Sequence, residues 1–156
     1  MSLHRTLLLV EDDNADALLI RRALEKTGAN FILTRARHGE EAIEYLSGVG
    51  AFEDRVSYPL PDVVLLDIKL PRRSGLEVLE WLRAQPAGMN RTPVVMLTSS
   101  RHAVDVNRAY DLCVNGYLTK PDTVQELQAM LMGFKEYWLR WNEAPQSNDA
   151  HLPTEN

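Results

Sequence analysis

The 156-residue chain predicts a doubly wound parallel α/β domain, and three observations carry that prediction. Leu7-Leu8-Leu9-Val10, Val63-Val64-Leu65-Leu66 and Val94-Val95-Met96-Leu97 are short, continuous and rich in β-branched residues, the pattern of strands buried on both faces. Stretches of helical period separate them, so strand and helix alternate along the chain. Each run stops at a polar residue suited to phosphate chemistry: Glu11-Asp12, Asp67 and Thr98 in turn. A shorter run, Tyr117-Leu118, stops near Lys120-Pro121. Ligands of open parallel sheets collect beyond the carboxyl ends of the strands, so these residues are expected around one crevice.

The elements follow in order. Asn14 is expected to cap a first helix with Ala17, Ile20 and Leu24 on one stripe and Gly28 at its C-terminal stop. Phe31 to Ala36 is a weaker second strand. Gly39-Glu40-Glu41 opens a second helix, with acids in the first turn where the helix dipole favours them and Ala42, Tyr45 and Leu46 inward. Ser47 to Pro61 holds two Gly and two Pro without a period, and reads as a surface loop. Pro71-Arg72-Arg73-Ser74-Gly75 turns into a third helix, whose buried stripe is Gly75, Val78, Leu79 and Leu82. His102 to Cys113 is a fourth helix with Ala103, Val106 and Tyr110 on one side, an anchoring weak enough to suggest movement.

The last helix runs from about Thr123 to Asn142. Val124, Leu127, Leu131, Phe134, Trp138 and Trp141 follow alternating steps of three and four, the spacing of a heptad seam. A strand of ordinary length faces only about three helical turns, so the Phe134-to-Trp141 end is expected to overhang and meet a partner. From residue 144 to 156 the chain is polar and aperiodic, predicting a disordered tail behind a single domain over residues 1–143.

Composition narrows the function. No apolar run is long enough to span a bilayer, and Met1 to Thr6 lacks the features of a secretion signal, so a cytoplasmic protein without membrane contact is expected. Lone Cys113 fits a reducing compartment and has no neighbouring base to make it a nucleophile. With 22 acidic residues against 17 basic, the net charge of −5 opposes nonspecific nucleic-acid binding.

Glu11, Asp12 and Asp67 have no obvious neutralising base among their sequence neighbours. Three gathered carboxylates repel unless a cation offsets them, and Mg²⁺ is the natural one, taking one or two carboxylates and sharing its other positions with phosphate oxygens. Lys120 offers a fixed positive charge and Thr98 a hydroxyl to a phosphoryl group, while Asp67, alone at the end of the central strand, is best placed to accept it as an acyl phosphate. A single Asp at a strand end is usually a turn or cap residue, and a single Lys a solvated charge. Four such residues at equivalent strand ends rarely coincide by chance.

At these residues the chain resembles the receiver domain of two-component response regulators. The motifs are Leu-Leu-Val-Glu11-Asp12-Asp13, Val-Val-Leu-Leu-Asp67-Ile-Lys-Leu-Pro71 with Gly75 beyond, Met-Leu-Thr98-Ser-Ser, and Gly116-Tyr117-Leu-Thr-Lys120-Pro121. The resemblance implies a flavodoxin-like sheet of strand order 2-1-3-4-5. It implies that Asp67 takes its phosphoryl group from a histidine kinase, and that Asp12, Asp67 and the Lys69 carbonyl hold Mg²⁺, with Glu11 acting through a metal-bound water. It further implies a switch in which Thr98 moves toward the phosphoryl group, Tyr117 turns inward, and the face of the fourth helix, fifth strand and fifth helix is remodelled. A cis bond at Lys120-Pro121 is also implied. Catalysis is limited to the regulator's own phosphorylation and dephosphorylation.

The long Ser47-to-Pro61 segment and the aromatic C-terminal helix resemble a narrower group, the regulators that partner phytochrome-type histidine kinases. That resemblance implies a homodimer through Phe134, Tyr137, Trp138 and Trp141. Two departures matter: Glu11 stands where many receivers have Asp, and Lys69 borders the path of the hydrolytic water, where its cation is expected to alter the acyl phosphate's lifetime. Lys69 also occupies the position at which haloacid-dehalogenase phosphatases carry a second Asp, which argues against a turnover hydrolase. No clustered-glycine loop supports a nucleotide or flavin site. A docking protein that no longer takes phosphate is disfavoured by the intact set Glu11, Asp12, Asp67, Thr98 and Lys120.

Overall fold

The computed structural model describes residues 4–145. Strands β1 (Arg5–Val10), β2 (Phe31–Ala36), β3 (Val63–Leu66), β4 (Val94–Thr98) and β5 (Gly116–Thr119) form one parallel sheet in the order β2-β1-β3-β4-β5, as expected. Helices α1 (Asn14–Lys26), α2 (Gly39–Ser47), α3 (Gly75–Arg83), α4 (Ala103–Asp111) and α5 (Val124–Phe134) make the crossovers and the closing layer.

The period of two along a strand divides the core into two layers. Leu8, Val10, Val64, Leu66, Val94 and Met96 pack with Ala42, Tyr45, Leu46, Val78, Leu79 and Leu82 of α2 and α3. Leu7, Leu9, Val63, Leu65, Val95 and Leu97 pack with Ala17, Ile20 and Leu24 of α1 and Leu127, Leu131 and Phe134 of α5. The central strands are apolar at every position because both their faces are covered. Each fully buried leucine among them contributes about 1.5–3 kcal/mol.

The expected stripes of α1, α2 and α3 are the buried ones. The first cap is different: Asp13, not Asn14, caps α1, its Oδ1 accepting from the Asp16 N–H at 2.8 Å. Asn14 is instead the first helical residue, and its side-chain oxygen accepts from Arg35. Gly28 stops the helix in the left-handed region, at φ +72°, where a side chain is strained.

The segment between α2 and β3 is more ordered than a surface loop. A short 3₁₀ turn at Gly50–Phe52 sets Phe52 against Tyr45 and Tyr58, with ring centroids 5.1 and 5.2 Å away. Arg55 then ties the end of α2, donating to the Tyr45 carbonyl at 2.8 Å and the Leu46 carbonyl at 2.6 Å. These are carbonyls that a helix terminus leaves without intrahelical partners.

Two helical readings need correction. In α4 the buried residue is Ala109, while Ala103 and Tyr110 of the expected stripe are exposed and Val106 is half-buried. Helix α4 lies on the same face of the sheet as α3, where Ala109 joins the core layer of Val94 and Met96 and Arg108 pairs with Glu80 of α3, so one small side chain makes its buried contact. At the C-terminus, Phe134 does not overhang: it is 4% exposed and completes the α1–α5 core. The chain then changes from α to π winding over Lys135–Trp141, so the even helix expected through Asn142 is interrupted. Trp138 and Leu139 remain packed against the core, while Tyr137 and Trp141 face outward. Beyond residue 145 the expected tail lies outside the described residues.

Candidate functional site

Strand register assembles the site. Val10 pairs with Leu66, so Glu11 and Asp67, each the next residue, emerge side by side. Their backbones stay linked, the Asp67 N–H donating to the Val10 carbonyl at 3.1 Å. Thr98 pairs with Thr119, and the Lys120 N–H donates to the Thr98 carbonyl at 2.7 Å, which sets the lysine beside the threonine. Four strand ends thus deliver their polar residues to one rim, as the sequence predicts.

Carboxylate oxygens of Glu11, Asp12 and Asp67 lie within 4.8 Å of one another. Glu11 and Asp67 are nearly buried, at 1% and 6% exposure, and Asp12 faces solvent. The base that their sequence neighbours lack arrives from β5. The Lys120 ammonium donates to Glu11 Oε2 at 2.7 Å, Asp67 Oδ2 at 2.9 Å and Asp16 Oδ2 at 3.1 Å. Asp67 Oδ1 accepts from the Ile68 N–H at 2.7 Å, so both its oxygens are oriented.

Burial shapes the charges. Withdrawal from water pushes the Glu11 carboxyl up to about 7, against the hydrogen bond and charge of Lys120, which hold it down. Burial disfavours the charged form of Lys120 as well, but hydrogen bonds to Glu11 and Asp67 outweigh it and hold the ammonium above the ordinary lysine range. Lys120 is therefore a permanent cation inside an acidic pocket. An all-oxygen set of this kind fits a hard divalent ion.

Thr98 is wholly buried, and its Oγ1 accepts from the Ser100 N–H at 3.3 Å. Tyr117 donates its hydroxyl to the Ser100 carbonyl at 2.9 Å, and Ser100 Oγ donates to Asp105 in the first turn of α4. Ser100, 4% exposed, therefore joins the two expected switch residues to α4. Lys69, two residues beyond Asp67, is exposed. Every described peptide bond is trans, Lys120-Pro121 included, which corrects the expected cis bond. Register and the backbone bonds of β5 already set Lys120 in place with that peptide trans.

Two further positions contribute without having been expected. Asp16 reaches Lys120 from the first turn of α1. Arg35, at the end of β2, donates to the carbonyls of Glu11 at 2.9 Å and Asp12 at 3.2 Å, bracing the acidic loop. The expected aromatic partner residues lie apart from this site, on the π segment, and Phe134 is internal.

Comparison with known proteins agrees with this geometry. Residues 7–132 match the family described as the response regulator receiver domain. The probable methanogenesis regulatory protein FilR2 of Methanothrix harundinacea (strain 6Ac) is 40% identical over 139 residues, 89% of this chain and 86% of its own. The phosphorylated cyanobacterial phytochrome response regulator RcpA superposes with a TM-score of 0.84 at 36% identity, over 92% of this chain and 99% of that one. The Mn²⁺-bound form of response regulator Rcp1, a protein of Synechocystis sp., gives 0.83 at 36% identity, over 91% and 99%. Among the described residues no helix is long and apolar enough to cross a membrane. With sheet order, strand-end acids and lysine all arranged as its sequence motifs require, this chain belongs to the response regulator receiver family.

Proposed function

We propose that Asp67 is the phosphoacceptor of a cytoplasmic signalling regulator whose donor is a histidine kinase of the phytochrome type. The observation that carries the proposal is the setting of Asp67: nearly buried at the end of β3, within 4.8 Å of the other two acids and 2.9 Å from the Lys120 ammonium. A carboxylate oxygen of Asp67 attacks phosphorus, the bond from phosphorus to the kinase histidine nitrogen breaks, and that nitrogen keeps the electron pair. Glu11, Asp12 and Asp67, with the Lys69 carbonyl, would hold Mg²⁺, which offsets negative charge on the transferring oxygens. Lys120 and Thr98 bind those oxygens directly. The likeness to RcpA supports the choice of kinase, because that relative is a phytochrome response regulator. Incubation with acetyl phosphate and Mg²⁺ tests the proposal: the protein gains a single phosphoryl group by mass, and chelation of the metal prevents it.

Output follows from the Ser100 connection. When Thr98 closes on the phosphoryl group, its bond to the Ser100 N–H is disturbed, and Ser100 carries the change to Tyr117 and to α4. The face of α4, β5 and α5 then presents a different surface. Lys69 stands in solvent next to the acceptor and sets the lifetime of the acyl phosphate. Dephosphorylation of Lys69→Ala at an altered rate is the expected result, and an unchanged rate would remove that role.

A homodimer through the C-terminal segment completes the reading, with Tyr137, Trp138 and Trp141 as contacts. Tyr137 and Trp141 are 57% and 69% exposed, and large aromatics of that kind dominate interface energetics. Changing both to serine is expected to shift sedimentation toward monomer; sedimentation like the parent's would leave these rings without a partner. Phe134 is unsuited to this test because it is core, and a polar residue there would destabilise the fold itself.

A further inference from the structure

An ammonium group has three N–H donors, and in Lys120 all three point to carboxylates. Two of the acceptors, Glu11 and Asp67, follow strand ends. The third, Asp16, comes from α1 and is held in place by its own backbone, whose N–H is capped by Asp13 at 2.8 Å. Lys120 therefore has no donor to spare for a phosphoryl oxygen until one carboxylate is released.

The three partners differ in what release costs. The side chains of Glu11 and Asp67 are 2% and 8% exposed, so in the metal-free protein a lost hydrogen bond there leaves a buried charge uncompensated. The Asp16 side chain is 43% exposed and makes the longest of the three bonds, and water replaces the lysine there at little cost. Asp16 also adds a negative charge where a dianionic phosphodonor must approach.

We infer that Asp16 is a positioning residue for phosphotransfer: it occupies the third donor of Lys120 in the resting protein and is the partner that Lys120 gives up when phosphate arrives. The inference rests on the phosphoacceptor reading of Asp67. Asp16 does not touch the reacting atoms. It holds the lysine toward α1 and so slows the transfer until the phosphodonor draws the ammonium away.

Two measurements on the full chain test this. In metal-free protein, proton exchange of the Lys120 ammonium with water, read by ¹H–¹⁵N NMR, is expected to speed up in Asp16→Asn. With acetyl phosphate and Mg²⁺, the phosphorylation rate of Asp16→Asn is expected to rise about two- to fivefold, the factor that an exposed ion pair supplies. Asp16→Glu, which restores a carboxylate within reach, is expected to return both toward the parent. Unchanged ammonium exchange and an unchanged or slower rate in Asp16→Asn, with the parent labelled normally, would overturn the role. A parent that takes no label would overturn the acceptor assignment instead, and the metal-free exchange measurement would still decide whether Asp16 tethers Lys120.

Discussion

Asp67→Asn loses all labelling by acetyl phosphate in Mg²⁺, while the protein stays folded. Asparagine keeps the shape of the side chain and an oxygen able to accept from the Ile68 N–H, but its amide lacks the anionic oxygen that attacks phosphorus. The substitution therefore removes the nucleophile without opening a cavity, and circular dichroism with a melting curve confirms that the loss is chemical. Chelation in the parent gives the matching control, since it leaves Asp67 in place and withdraws the ion. Uptake of label by the folded asparagine variant at the parent's rate would move the acceptor elsewhere and undo the assignment.

Gly75→Ala is expected to be the most damaging single methyl group in the molecule for fold and function together. A Cβ built at Gly75 stands 1.9 Å from the Asp67 carbonyl oxygen and 2.8 Å from its carbonyl carbon, both backbone atoms with no rotamer to escape into. The start of α3 is also tied to the same strand end, with the Gly75 N–H donating to the Ile68 carbonyl at 2.8 Å. Either the helix lifts away from β3 or the acceptor is displaced. Overpacking of this kind costs about 1–3 kcal/mol. At the upper end, a chain of this size loses roughly 6–12 °C in melting temperature. Reduced labelling should accompany the lower melting point, because the clash falls on the acceptor's own peptide. A variant that melts and labels like the parent would show that this close approach does not hold Asp67.

Much of the architecture is legible in the residues because both-face burial leaves little ambiguity. Val63 to Leu66, short, β-branched at its start and bounded by polar residues, reads as a central strand, and the polar residue after such a run falls at the rim. The positions that escaped reading depend on partners distant in sequence. Asp16 looks like an ordinary first-turn acid until β5 brings Lys120 beside it, and Arg35 looks like a solvated charge on a weak strand until register sets it under the Glu11 and Asp12 carbonyls. In α4, Ala103, Val106 and Tyr110 fit a helical period, yet the residue that enters the core layer is Ala109. Phe134 continues the buried stripe of Leu127 and Leu131, while Val124 at the head of the expected seam is exposed; spacing does not tell whether a stripe meets its own sheet or another chain.

The altered winding after Phe134 has a consequence for assembly. Ladder bonds that skip one residue more than an α-helix advance the angular phase more slowly, so the direction in which Leu127, Leu131 and Phe134 point is not inherited by Tyr137 and Trp141. Supercoiled pairing demands a constant phase over several heptads, and this rod keeps one for scarcely three turns. Two copies meeting here would join as patches of ring surface, without interlocking knobs to dictate axial alignment.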